Sequence, residues 1–132
     1  MFSPKDLPAR ILNSLAEQIA VIDSLGEIVY TNAAWDDFGR KNGLSGNRTG
    51  SGTNYLHVLQ KAADSGDHLA ATAAQGITHV FDGSLPRFYH EYPCHSPTRK
   101  RWFMMHVCQV HDSNSQLLVI SHQDITARKL AE

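Results

Sequence analysis

After Pro86 the chain changes period. "RFYHEYPCH", "RKRWFMMHVCQV" and "QLLVISHQ" replace a helical pattern with alternation rich in aromatic and β-branched residues, which predicts three strands. "SPTRK" and "HDSNS" are the turns between them. Connections this short suit an antiparallel sheet. Pro93 has no backbone N–H to give to a ladder, so it points to an edge position or a bulge.

The first third adds two more strands. "IAVID" and "EIVYTN" flank "SLGE", a turn centred on Gly26, and read as a β-hairpin. Before it, "PARILNSLAEQI" carries Ile11, Leu12, Leu15 and Ile19 at the spacing of a short amphipathic helix. After it, Asn32 is a good N-cap for a helix through "AAWDDFGR", with Gly39 as its stop. Residues 39–53 hold five glycines and read as loose turns. "NYLHVLQKAA" is a short helix.

"SGDHLAATAAQGITHVFDG" is the strongest helix of the chain. Ser65 or Asp67 caps it, and Leu69, Ala73, Ile77 and Val80 line one face. Gly76, a poor helix former, allows close backbone packing there. Asp124 caps a last helix in "DITARKLAE". Five antiparallel strands with helices grouped on one face make an α+β layer fold.

Charge and hydropathy exclude several function classes. A net charge of −1 does not suit a nucleic-acid or acidic-membrane binder driven by bulk charge. Apolar runs of about four or five residues fall far short of the roughly 20 needed to span a bilayer. "MFSPKDLPAR" has no apolar core of a signal peptide. Cys94 and Cys108 make no disulfide framework and read as reduced thiols, so a cytoplasmic protein is expected. The "NRT" sequon at Asn47 reads as chance.

Four stretches carry a resemblance: "AVIDSLGEIVYTNAAW", "NYLHVLQKAA", "EYPCHSPTRKRWFMMHV" and "ISHQDITARKLAE". Asp23, Gly26, Ile28 and Asn32 of the first, together with the closing D-I-T-x-R-K, resemble PAS domains, the sensory modules of bacterial signalling proteins. The overall pattern is most similar to those that precede histidine kinase or diguanylate cyclase domains. The resemblance implies an N-terminal amphipathic helix over 1–16, a sensor core over 17–123 and the start of an output linker over 124–132. No kinase phosphoacceptor region or cyclase motif follows in the sequence, so the chain reads as an excised sensor. It implies no catalysis. In such domains a ligand, cofactor or partner shifts the sheet, and flanking helices pass the shift to an effector domain, which the resemblance implies is here a histidine kinase, a diguanylate cyclase or a phosphodiesterase.

The register implied by the resemblance sends Phe103, Met105 and Val107 into the family's cavity, with Ala20, Ile22, Leu118, Ile120 and His122. On the strand before, it puts Tyr89 and Glu91 inside, and His90, Tyr92 and Cys94 outside. The expected ligand-binding residues are therefore Glu91, His122, Tyr55, Phe103, Met105 and Ile22. A Glu91–His122 pair would relieve the cost of a buried carboxylate. The alternative is a ligand-free dimerisation and relay module with a filled core. Flavin photochemistry of the light-sensing relatives would need a cysteine where "GTNYLHVLQ" has Tyr55. Haem would need an axial imidazole from His57, His68 or His79. Zinc would need His90, Cys94, His106 and Cys108 to converge, at spacings that match no zinc motif. Arg99, Lys100 and Arg101 read as a solvated hairpin tip.

The outer sheet face would hold Trp102, Met104, Tyr92 and Cys94, an apolar patch too large to leave wet. In the family the N-terminal helix covers it, so Ile11, Leu12 and Leu15 are its expected contacts, within a homodimer.

Overall fold

The computed structural model describes residues 4–41, 50–111 and 116–132. Most of the glycine-rich loop, with Asn47, and most of the "HDSNS" turn lie outside the described residues. After a short 3-10 turn, Pro4–Asp6, the elements run α1 (Leu7–Ser14), β1 (Gln18–Ile22), β2 (Ile28–Thr31), α2 (Ala33–Lys41), α3 (Tyr55–Asp64), α4 (His68–Phe81), β3 (Arg87–Pro93), β4 (Trp102–Gln109), β5 (Leu118–Asp124) and α5 (Thr126–Ala131).

The five strands form one sheet in the order β2-β1-β5-β4-β3, antiparallel throughout. Pro93 lies in β3, an edge strand, where its missing N–H breaks no interior ladder. The core joins Ala20, Ile22, Ile28, Met105, Val107, Leu118 and Ile120 of the sheet to Trp35, Ala73, Ile77 and Val80 of α2 and α4. Two helix boundaries differ from expectation. The first helix stops at Ser14, because Gln18 and Ile19 are drawn into the ladder with β5. Gly39 does not stop α2; it is buried inside the helix, which continues to Lys41.

Local chemistry fixes the corners. Asp23 Oδ1 accepts from the N–H groups of Leu25 and Glu27, and Gly26 takes φ +89° at the turn. A Cβ on Gly26 would stand 2.8 Å from Leu56 Cβ, so the turn needs glycine both for its conformation and for its contact with α3. The Tyr55 N–H donates to the Gly26 carbonyl at 2.8 Å, and Asn54 Nδ2 donates to the Leu25 carbonyl at 2.9 Å. Asn54 also caps α3 by accepting from the His57 N–H. The hairpin turn thus seats the start of α3, where Tyr55 enters the core.

Asn32 is fully buried and saturated. Its Oδ1 accepts from the N–H groups of Ile19 and Trp35, and its Nδ2 donates to the carbonyls of Leu12 and Glu17. One side chain therefore caps α2 and ties the end of α1 to β1. At the far end, Asp124 Oδ1 accepts from the Thr126 N–H, while the Trp102 N–H donates to Thr126 Oγ1 and the Ile125 N–H to the Trp102 carbonyl. These bonds pin the start of α5 to β4.

Candidate functional site

A cavity of about 280 Å³ lies between the inner sheet face and helices α3 and α4. Asp67 caps α4 by accepting from the N–H groups of Leu69 and Ala70. From that cap, Ala70 and Ala73 present small side chains to the cavity. Further along α4, Gly76 meets β3 directly: a Cβ there would stand 2.4 Å from the Phe88 ring. The helix and strand touch at Gly76 and Phe88, and the cavity opens beside Ala70, Ala73, His90 and Tyr92.

A chain of hydroxyl and imidazole groups crosses this space. Tyr92 Oη lies 2.6 Å from His122 Nδ1, and Tyr55 Oη lies 3.4 Å from His122 Nε2. The Trp35 ring packs beside both, 5.7 Å from Tyr55 and 5.5 Å from His122 between centroids. Phe88, His90 and Tyr92 stack in sequence along β3, with centroids 6.0 and 5.7 Å apart. His90 Nε2 is buried without a hydrogen-bond partner.

Burial sets the charge states. His122 keeps some accessible surface because one edge faces the cavity, yet protein surrounds it otherwise. That desolvation pushes its pKa down to about 4, with nearby His90 adding to the shift. Burial lowers His90 as well. It also raises both hydroxyls, Tyr55 by burial alone and Tyr92 by burial with further contributions from Tyr55 and Cys94. At neutral pH the whole cluster is uncharged.

The structure places Tyr55, Met105 and His122 on the cavity wall. Phe103 and Ile22 are buried on the same sheet face, in the core rather than among the cavity-lining residues. Glu91 is not there. β3 pairs Glu91 with Met104, Tyr92 with Phe103 and His90 with Met105, so the strand is one residue out of the expected phase. Glu91 sits on the outer face, 40% exposed, and pairs with Arg128 and with Lys129 Nζ at 3.5 Å. No Glu91–His122 pair forms; Tyr92 takes that place.

The same shift moves Tyr92 and Cys94 off the expected dimer face and onto the cavity wall. Trp102 and Met104 do lie on the outer face, half-buried. Ile11 and Leu15 are exposed at 52% and 41%, Leu12 is half-buried, and no residue of α1 is buried. His57, His68 and His79 are exposed and absent from the cavity lining. His90 and Cys94 face the cavity while His106 and Cys108 face out, so these four do not converge. Among the described residues no group of three or more His, Cys, Asp or Glu could hold a metal ion. Arg101 is not a solvated tip residue: its Nε donates to the Cys94 carbonyl at 3.0 Å, and its guanidinium stands 5.5 Å over the Phe38 ring.

Sequence reasoning missed His90 and Tyr92 as cavity residues. The available signal was the hairpin. The Ser96–Arg99 bridge centres it between Pro97 and Thr98, and that centre pairs Tyr92 with Phe103.

No family model matches the chain. It is 40% identical over 120 residues to a Rhodobacter capsulatus protein described as an uncharacterized 104.1 kDa protein in the hypE 3' region. That match takes in 88% of this chain, which spans 12% of the relative's length. Among solved structures, the PAS domain of a Colwellia psychrerythraea protein superposes with a TM-score of 0.61 at 16% identity, covering 96% of this chain and all of that one. The PAS domain of Bordetella pertussis BvgS gives 0.56 at 18% identity, over 96% of this chain and 89% of its own. The PAS domain of nitrogen regulation protein NR(II) from Vibrio parahaemolyticus gives 0.52 at 15%, over 90% and 98%. With the same sheet, helices on one face and these superpositions over nearly its whole length, the chain has the fold of these PAS domains.

Proposed function

We propose that this domain is a ligand-sensing relay within a larger signalling protein. The observation that carries the reading is the cavity with the Tyr55–His122–Tyr92 chain across it. Buried polar groups without full hydrogen bonding cost stability, and a bound molecule relieves that cost. A relay module with a filled core would have apolar side chains in that space.

The route outward is short. β3 presents His90 and Tyr92 to the cavity and Glu91, between them, to α5 through Arg128 and Lys129. Occupancy that moves β3 therefore moves the anchor of α5. The output side is a histidine kinase, a diguanylate cyclase or a phosphodiesterase domain of the longer protein, and the match to a much longer relative supports such a setting. A homodimer through α1 and the outer face at Trp102 and Met104 fits the exposure of Ile11 and Leu15. Placement of the domain in the cytoplasm accords with two free cysteines. No helix of the described residues is long and apolar enough to cross a membrane.

Native mass spectrometry of freshly purified protein, with a visible absorption spectrum, tests the reading. A bound small molecule that is lost from His122→Ala supports it. Bare polypeptide, with no compound raising its melting temperature, contradicts it. The same preparation under light scattering tests the homodimer: a strict monomer at high concentration removes it.

A further inference from the structure

Resting on that sensing role, we propose that the cavity takes an uncharged, single-ring-sized molecule whose buried end carries a hydrogen-bond acceptor, and that it rejects carboxylates.

The acceptor follows from a proton count. Tyr55, Tyr92 and neutral His122 hold three transferable hydrogens between them: one on each hydroxyl and one on the ring. Only two contacts join them, one at each ring nitrogen. If Tyr92 donates to Nδ1, the Nε2–H faces Tyr55 and the Tyr55 hydroxyl hydrogen is left over. If Tyr55 donates to Nε2, the Nδ1–H faces Tyr92 and the Tyr92 hydrogen is left over. Either way one hydroxyl donor remains without an acceptor beside an apolar space. A carbonyl or ether oxygen on the ligand completes the chain.

Size and charge narrow the class. His90 and Tyr92 line the cavity from β3, and the methyl-sized Ala70 and Ala73 line it from α4. Its volume of about 280 Å³ falls just below the usual range of ligand pockets, roughly 300–1,000 Å³, which limits the occupant to a small molecule. No lysine or arginine lines it among the described residues. The two histidines are held neutral by burial. Asp67 at the wall is a carboxylate already committed to the N–H groups of Leu69 and Ala70. An anionic ligand would lose its hydration and meet no cation.

Three probes of one shape test this at pH 7.5: acetophenone, benzoate and α-methylstyrene. Each is titrated into the ¹⁵N-labelled domain and its Kd read from chemical shifts. Acetophenone binding several-fold more tightly than α-methylstyrene and at least about tenfold more tightly than benzoate is the expected result, since it gains one hydrogen bond over the first and avoids burying an unpaired anion. In Tyr55→Phe/Tyr92→Phe the preference over α-methylstyrene disappears. Should that variant not fold, the unmodified protein still decides: acetophenone, and not α-methylstyrene, moves the His122 ring ¹⁵N resonances. Benzoate binding as tightly as acetophenone, or α-methylstyrene matching it, overturns the proposal and leaves the sensing role standing. If none of the three binds while native mass spectrometry shows another bound molecule, this ligand class falls alone. If neither shows binding, both fall.

Discussion

Tyr92 Oη stands 2.6 Å from His122 Nδ1, joining the edge strand β3 to β5 across the intervening β4. The contact links two strands that share no ladder. It also positions a histidine that burial keeps uncharged inside the domain, and pH therefore becomes a probe of the site.

His122 has a folded pKa of about 4 against an ordinary 6.5. Above pH 6.5 the ring is neutral in both states and adds no pH dependence. Between 6.5 and 4 the unfolded chain binds the proton and the folded one does not, so stability falls as pH falls. The difference reaches roughly 3 kcal/mol by pH 4. Urea unfolding at several pH values measures it. His122→Gln, which cannot titrate, flattens the profile over that window relative to the unmodified protein. Parallel profiles for the two proteins would contradict the burial of His122.

Gly76 and Phe88 make a sharper steric prediction. Gly76→Ala puts a methyl group 2.4 Å from the Phe88 ring, and overpacking of this kind costs about 1–3 kcal/mol. In a Phe88→Leu background the cost of Gly76→Ala shrinks, a coupling that a double-mutant cycle reads. Additive effects would mean that α4 and β3 do not meet there.

Asn32→Ala removes four hydrogen bonds at one buried point. The expected loss is about 2–4 kcal/mol, combining a lost N-cap with unsatisfied backbone groups. Hydrogen exchange should quicken at the Ile19 and Trp35 amides before it quickens in β4. Unchanged exchange at those two amides would mean that the side chain is not their acceptor.

Glu91→Gln leaves probe binding in the cavity unchanged and raises amide exchange in α5, because the residue anchors Arg128 and Lys129 and does not face the cavity. Loss of probe binding with α5 unaffected would restore the inward orientation of Glu91.

The fold was legible because its patterns are unambiguous. β4 alternates buried and half-buried residues along "WFMMHVC", and α4 shows its helical stripe from Ala73 to Val80. The phase of β3 was not legible from the strand itself. Both of its faces carry an aromatic and an ionisable group: Phe88, His90 and Tyr92 on one, Tyr89 and Glu91 on the other. A half-exposed edge strand with mixed faces does not set its own register. A turn over Ser96–Lys100 would centre on Thr98 and pair Glu91 with Met105; the actual hairpin centres half a residue earlier, and every side chain of β3 changes face. The cavity itself depends on Gly76 closing one end of a helix–strand contact while Ala70 leaves the other open, a three-dimensional fit with no period in the sequence. Trp102 and Met104 lie on the outer face, as the clear alternation of β4 dictates.

The central claim is that occupancy of the cavity reaches α5 through β3. Hydrogen exchange of the α5 amides, with and without saturating acetophenone, tests it most directly. The account predicts a several-fold change in exchange at Arg128 and Lys129 that tracks occupancy and is absent in Glu91→Gln. Binding that protects the amides around Tyr92 and His122 while α5 exchanges at an unaltered rate would contradict it.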